Sequence, residues 1–295
     1  MTDMALTTPR TQAQPTRLRR FLRWLAGDLR AALALLVLLV LVVVAIGAPW
    51  IAPYSPTAQD INNMLASPGA GHLLGTDDLG RDIFSRLIYG APATVYASVL
   101  AVSVAVAIGL PVGLVAGFFG GWTDAVLMRF ADVALGIPFL PFVILLAGFL
   151  GPATSNVIIG IAALLWPNTA RVIRSQVLTV RERAFVEAAR VTGASPWRIL
   201  FVHVAPNILP LTFLYGSIAV GWAILTEAAV SFLGFGPSDV VSWGYMLQDA
   251  YGGQALSRGS YNWFVPPGLC IVLVVVAGFF ISRGYEEILF PKLKD

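Results

Sequence analysis

Glu187-Ala188-Ala189-Arg190-Val191-Thr192-Gly193-Ala194-Ser195-Pro196-Trp197 is the stretch that decides how this chain is read. It lies on an arginine-rich polar segment between two hydrophobic runs. Upstream, Thr179-Val180-Arg181-Glu182 has the form of a capping box, in which a hydroxyl and a carboxylate three residues on satisfy the first helical N–H groups. Ala184, Ala188 and Val191 follow at i, i+4 and i+7, a weakly apolar helical stripe. Gly193 is placed to end that helix in a left-handed turn, which glycine adopts without a Cβ penalty. Ser195 suits the cap of a second helix and Pro196 its first turn. That helix is expected to run on through Ile199, Leu200, Phe201 and Val202. The segment therefore predicts a helix, a sharp corner and a helix. A small-faced helix beside membrane spans suits docking. An amphipathic surface loop carrying ordinary flanking charge is the plain alternative.

Working outward, the 295 residues are 57% hydrophobic and 12% charged, with mean hydropathy +0.78. Soluble domains are about half apolar and about a quarter charged, so this composition predicts an all-α polytopic membrane protein with one transmembrane bundle. The single cysteine, Cys270, lies in an apolar run and has no intrachain partner. Lysines occur only at 292 and 294, so no Gly-Lys pair of a Walker loop exists. If ATP drives the protein, another chain binds it. The first apolar run is long and lacks a small-residue cleavage site, so no cleaved signal is expected. The basic residues flank apolar runs, a pattern that argues against nucleic acid as a partner.

Along the chain, residues 1–16 are polar and predict an unstructured arm. Residues 17–30 set Leu18, Phe21, Leu22, Leu25 and Leu29 against Arg19, Arg20 and Arg23, which predicts either an interfacial helix on anionic lipid or a plain stop-transfer flank. The transmembrane domain is expected over 31–295. Its spans are predicted at 31–52, 94–118, 127–150 (kinked by Pro138 and Pro141), 157–173 (across Pro167), 208–232 and 264–281. Small residues at 97, 101, 105, 109, 113 and 117 give the second span a close-packing face. External segments are expected at 53–90 and 233–263, and an arginine-rich cytosolic loop at 171–207. With both termini cytosolic, only Arg81, Arg86 and Arg258 of the 19 basic residues fall outside. That asymmetry fixes the orientation by the positive-inside rule.

Asp77 and Asp78 are read as an acidic helix start, favoured by the helix dipole, rather than as a metal or phosphate site. Asp132 and Glu227 fall in or near spans, where an ionisable group is expensive. Asp132 is expected at the interface beside Arg129, and Glu227 at the outer vestibule or a helix end. A proton-relay role is the other reading of both. His72 and His203 stand alone, without metal spacing, and no nucleophile–base constellation appears.

Two motifs carry a resemblance. Glu187-Ala188-Ala189, three residues, then Gly193, and Pro206 further on, resemble the EAA loop of bacterial ABC importer permeases. That loop reads E-A-A, three residues, G, nine residues, I-x-L-P. His203 and Ala205 depart from its Ile and Leu, while Ala205-Pro206-Asn207 after His203 is similar to the H-I-L-P-N form of peptide-type permeases. Gly75-Thr76-Asp77-Asp78-Leu79-Gly80-Arg81-Asp82 resembles the G-T-D-x-x-G-R-D segment of dipeptide, oligopeptide and nickel permeases. Ser231-Phe232-Leu233-Gly234-Phe235-Gly236 extends the likeness. The chain resembles the second, C-type permease of such importers.

That resemblance implies the six-helix type I importer permease fold. It implies a bacterial plasma-membrane location, peptides as the leading cargo, and a homologous second permease. Two cytosolic ABC ATPases, or one fused ATPase chain, would bind ATP and Mg, and an external binding protein would deliver substrate. The chain itself would be non-catalytic, without a cofactor and surrounded by lipid. Ala184, Glu187, Ala188, Ala189, Gly193, Ser195 and Pro196 would form the ATPase-coupling loop. The alternative function is a proton-coupled secondary carrier using Asp132 or Glu227.

Overall fold

A computed structural model describes residues 28–237 and 239–289. The expected N-terminal arm and all but the last residues of the interfacial helix lie outside them, as do residues 290–295. Among the described residues the chain is helical, with one isolated bridge between Thr76 and Asp82. The helices are α1 (Leu29–Ile51), α2 (Ile83–Phe119), α3 (Gly121–Leu135), α4 (Phe139–Leu150), α5 (Thr154–Val180) and α6 (Ala184–Val191). They continue with α7 (Pro196–Phe232, π-helical over Ile199–Val204), α8 (Trp243–Gly252) and α9 (Tyr261–Leu289).

Five helices are long and apolar enough to cross a membrane, and six segments qualify if α3 and α4 form one bent span. The expected kinked third span is in fact broken: α3 and α4 meet at 78° across Gly136-Ile137-Pro138. Pro138 has no N–H and disfavours helical backbone at Ile137, so the break falls before it, and Pro141 sits harmlessly in the first turn of α4. The second span is longer than expected. It starts at Ile83 and runs unbroken for 37 residues through Pro92 and Pro111, so residues 83–90 are continuous with the span. Likewise residues 171–180 belong to α5, which continues through Pro167, and 205–207 belong to α7. The segment 233–263 contains α8, capped by the Ser242 hydroxyl accepting from the Tyr245 N–H.

α2 is the mast of the bundle. Ala97, Ala101, Ala105, Gly109, Gly113 and Gly117 are all buried, as their spacing predicts. A Cβ at Gly113 would stand 2.6 Å from the Ala170 carbonyl oxygen, so α2 and α5 touch backbone to backbone. Three apolar clusters follow α2 along its length. One gathers Trp243, Met246 and Trp263 at its N-terminal end. One joins α2 to α4, α5 and α7 through Ala101, Val143, Ile161 and Val230. The third packs Leu114 and Phe118 under α6 and the start of α7. Elsewhere α1, α7 and α9 leave large apolar side chains uncovered, among them Leu36, Val43, Phe213, Trp222, Val272 and Phe279. Faces this large are stable only against lipid or another apolar surface.

Candidate functional site: the corner and the opposite cap

The corner forms as its residues dictate, with one exception. Gly193 has φ +77°, and the last turn of α6 closes as a full Schellman motif. The Ala194 N–H donates to the Ala189 carbonyl and the Gly193 N–H to that of Arg190. Ser195 then caps the next helix, its hydroxyl accepting from the Arg198 N–H, and Pro196 occupies the first turn. The exception is the capping box. Thr179 stays inside α5, its hydroxyl turned back to the Ser175 carbonyl, and Arg183 caps α6 without a side-chain bond. The α5 helix, continuous to Val180, claims the residues the box needed.

The stripe is also placed differently. Val186 and Ala189 are the buried positions of α6, resting on Val177, Ile199 and Leu200. Ala184, Glu187, Ala188 and Val191 face outward, Val191 being 84% exposed. The small-faced surface is thus unused by the chain's own core. The second limb of the corner runs on through Ile199–Val202 as expected, but with π rather than α geometry there. Pro196–Arg198 runs into a π-helical stretch, Ile199–Val204, and without a break into the rest of α7. Single-turn π insertions favour functional positions because they shift the side-chain register. The corner therefore opens directly into a membrane-length helix.

Its mounting is stiff. The Arg181 guanidinium donates to the Gly117 carbonyl at 2.8 Å, tying the end of α5 to the end of α2. Arg174 holds Asp124 of α3 through two hydrogen bonds. Trp197 packs against Phe119 and stacks on Phe201. Asp132 lies half exposed and pairs with Arg171 as well as with Arg129, the latter at 3.9 Å. It is an interfacial ion pair between α3 and α5.

At the opposite end of α2 the G-T-D-x-x-G-R-D segment forms a lock. The helix cap is Asp82, whose carboxylate accepts from the Ser85 N–H, and not Asp77 or Asp78. Asp77 is fully buried and gathers the Leu79 and Arg81 N–H groups, the Arg81 guanidinium at 2.6 Å and that of Arg86. Both arginines also donate to Asp249 of α8, at 2.8 and 2.6 Å. His72 pairs with Asp82. Asp77 and Asp249 thus hold both arginines, although the buried Nε of Arg86 has no partner among the described residues. Burial lowers the Arg81 pKa, but Asp77 and Asp249 outweigh it and the net shift is upward. Asp78 has no such partner, and burial, reinforced by Asp77, raises its pKa. Sequence reasoning missed Asp249 because its partners lie 163 and 168 residues away.

Glu227 lies in the last third of α7 and is buried, accepting from the Ser231 hydroxyl at 2.8 Å. Ser231 is itself wedged. A Cβ at Gly236 would come within 2.2 Å of its hydroxyl and one at Gly244 within 2.9 Å of its Cβ.

The described residues thus form a bundle of membrane-length helices with a free-faced helical corner at one end and an ion-locked cap at the other. The chain belongs to the family described as the binding-protein-dependent transport system inner membrane component, whose model matches residues 109–295. Residues 16–68 match the N-terminal transmembrane domain of oligopeptide transport permease C.

The chain is 36% identical to a dipeptide transport system permease protein, DppC, of Alkalihalophilus pseudofirmus, over 94% of its own length and 90% of that protein's. It is 33% identical to the probable D,D-dipeptide transport system permease DdpC of Escherichia coli, over 98% of both chains. It is 37% identical to the E. coli glutathione transport system permease GsiD, over 94% of this chain and 89% of that one. A chain of the MetNI methionine ABC transporter in its inward-facing conformations shares the fold. It superposes with a TM-score of 0.56 at 19% identity, covering 69% of this chain and 96% of that one. The protein is a multi-pass membrane permease, and the family assignment gives the proton-coupled carrier alternative no support.

Proposed function

We propose that the chain is one of two permease subunits of an ATP-driven, binding-protein-dependent peptide importer of the bacterial plasma membrane. Both termini face the cytosol, as the distribution of basic residues favours. A homologous permease completes the pore, ABC ATPase chains bind ATP and Mg, and an external binding protein delivers cargo. Relatives named for dipeptide, D,D-dipeptide and glutathione transport support peptides as that cargo.

The observation that carries the reading is the outward face of α6, where Ala184, Glu187, Ala188 and Val191 stand over a packed base. A groove on an ATPase that receives this face moves α6. Through Val186 and Ala189 the motion reaches α5 and α2, and through Gly193, Ser195 and Pro196 it reaches α7. Rigid pieces joined at a corner convert ATPase closure into alternating access. The chain supplies no bond-making chemistry in this scheme.

The test is uptake into proteoliposomes holding both permeases and the ATPases, with binding protein and a labelled dipeptide outside and ATP inside. ATP-dependent accumulation that survives an uncoupler is expected. Accumulation that follows a proton gradient without ATP would refute the proposal.

A further inference from the structure

Glu227 is 3% exposed, and only one of its two carboxylate oxygens has a partner. Oε1 accepts from Ser231, while Oε2 has no hydrogen-bond partner among the described residues. Buried polar atoms are nearly always paired, and an orphan calls for a specific cause such as an absent ion or ligand. Glu227 also lines a cavity of about 220 Å³ between α2, the start of α5, the end of α7 and the loop before α8. Its other polar groups are the hydroxyls of Thr154, Ser242 and Tyr96, and its walls include Ala93, Ala97 and Val157. No lysine or arginine lines it. The nearby guanidinium groups of Arg81 and Arg86 are committed to Asp77 and Asp249.

The donor set narrows the ligand. One carboxylate is too little for a divalent cation, which takes six or more oxygens or keeps its water. A guanidinium matches both oxygens of a carboxylate in a fork, and Ser231 already occupies one of them. A primary ammonium has three donors and no acceptor, which suits one free carboxylate oxygen flanked by hydroxyls. The cavity is smaller than the roughly 300–1,000 Å³ of drug-sized sites, so it holds a small terminal group and not a whole cargo. Ser231, fixed by Gly236 and Gly244, keeps the carboxylate from turning away.

We propose that the cavity at Glu227 is a binding site for a primary ammonium group and that, on the peptide-import reading above, its natural occupant is the N-terminal ammonium of the cargo. Glu227 supplies the charge, and the alanine and valine walls receive the first side chain.

The test uses the assembled complex with Cys270→Ala and Ala93→Cys in this chain, its labelling followed by mass spectrometry. Two thiol reagents are compared, aminoethyl methanethiosulfonate, an ammonium, and neutral ethyl methanethiosulfonate. With Glu227 present, the ammonium reagent should gain roughly tenfold over the neutral one relative to the same pair on Glu227→Gln, the size expected for a charge in a low-dielectric cleft. The ratio of the two rates cancels any change of access that the substitution brings. An equal ratio in both chains would overturn the site. Ala-Ala should protect the cysteine and N-acetyl-Ala-Ala should not. Protection by ethylamine without protection by Ala-Ala would overturn the cargo assignment while leaving the ammonium site. Neither result depends on transport, so each is separable from failure of the uptake experiment.

Discussion

Asp77 and Asp78 are neighbours with opposite fates. Asp77 is enclosed by two arginines and two backbone N–H groups, whereas Asp78 beside it has burial and two other carboxylates to contend with. Adjacent letters in a sequence look alike, and the difference between them arises from the two guanidinium groups and two N–H groups turned to Asp77, against burial and Asp77's own charge at Asp78. The raised pKa of Asp78 means that the fold favours its protonated form over the usual value of 3.8. Its contribution is therefore fully favourable below that value and is lost as pH rises through the raised one. Asn cannot ionise, so Asp78→Asn should raise the thermal midpoint of the detergent-solubilised protein at pH 7, and the gain should vanish near about pH 3.5. Thermal scans across that range check it. A gain that grows as the pH falls would show the sign to be wrong. By contrast Gly193 and Ser195 were legible from sequence alone, because a glycine after a helix followed by Ser-Pro is a local backbone instruction.

At the scale of elements, the small-residue face of α2 was legible because its four-residue spacing is itself the packing surface. Helix ends were less so. Pro92 and Pro111 do not interrupt α2, whereas Gly136-Ile137-Pro138 breaks the next span at 78°. A proline is tolerated where neighbouring helices re-satisfy the freed carbonyl, and a glycine two residues ahead does not decide the matter, because Gly90 and Gly109 stand before Pro92 and Pro111 as Gly136 stands before Pro138. α8 escaped notice because its ten residues are rich in glycine and aromatics, and its packing on Trp263 and Ile83 supplies what its propensity does not. The α2–α5 contact makes a graded prediction. Gly113→Ala places a methyl 2.6 Å from the Ala170 carbonyl oxygen, so the helices must part, at about 1–3 kcal/mol. Gly278→Ala in α9 meets nothing within 4 Å and should be near neutral. Thermal midpoints of the two purified variants decide this. Equal midpoints would contradict the close packing of α2 on α5.

For the whole molecule, the orientation and the docking face stand together. A cysteine replacing Thr57 or Gly253 should react with an impermeant thiol reagent on intact cells, and one replacing Ala184 should not. Both follow from the concentration of basic residues on the corner side. Labelling of the Ala184→Cys chain from outside would invert the topology and separate α6 from any cytosolic ATPase.

The central claim is that the corner at Gly193 transmits ATPase motion to the spans. Its φ of +77° is strained for a side chain branched at Cβ, at roughly 1–3 kcal/mol, and less so for asparagine. No atom crowds the position, so the strain is in the backbone alone. Span insertion depends on hydrophobicity, so both variants should reach the membrane at near-normal levels. The decisive measurement is substrate-stimulated ATP hydrolysis and uptake by the reconstituted complex carrying wild type, Gly193→Asn or Gly193→Val. A sharp fall of both activities in Gly193→Val, with Gly193→Asn milder, is the predicted result; a Gly193→Val complex that transports like wild type would contradict the account.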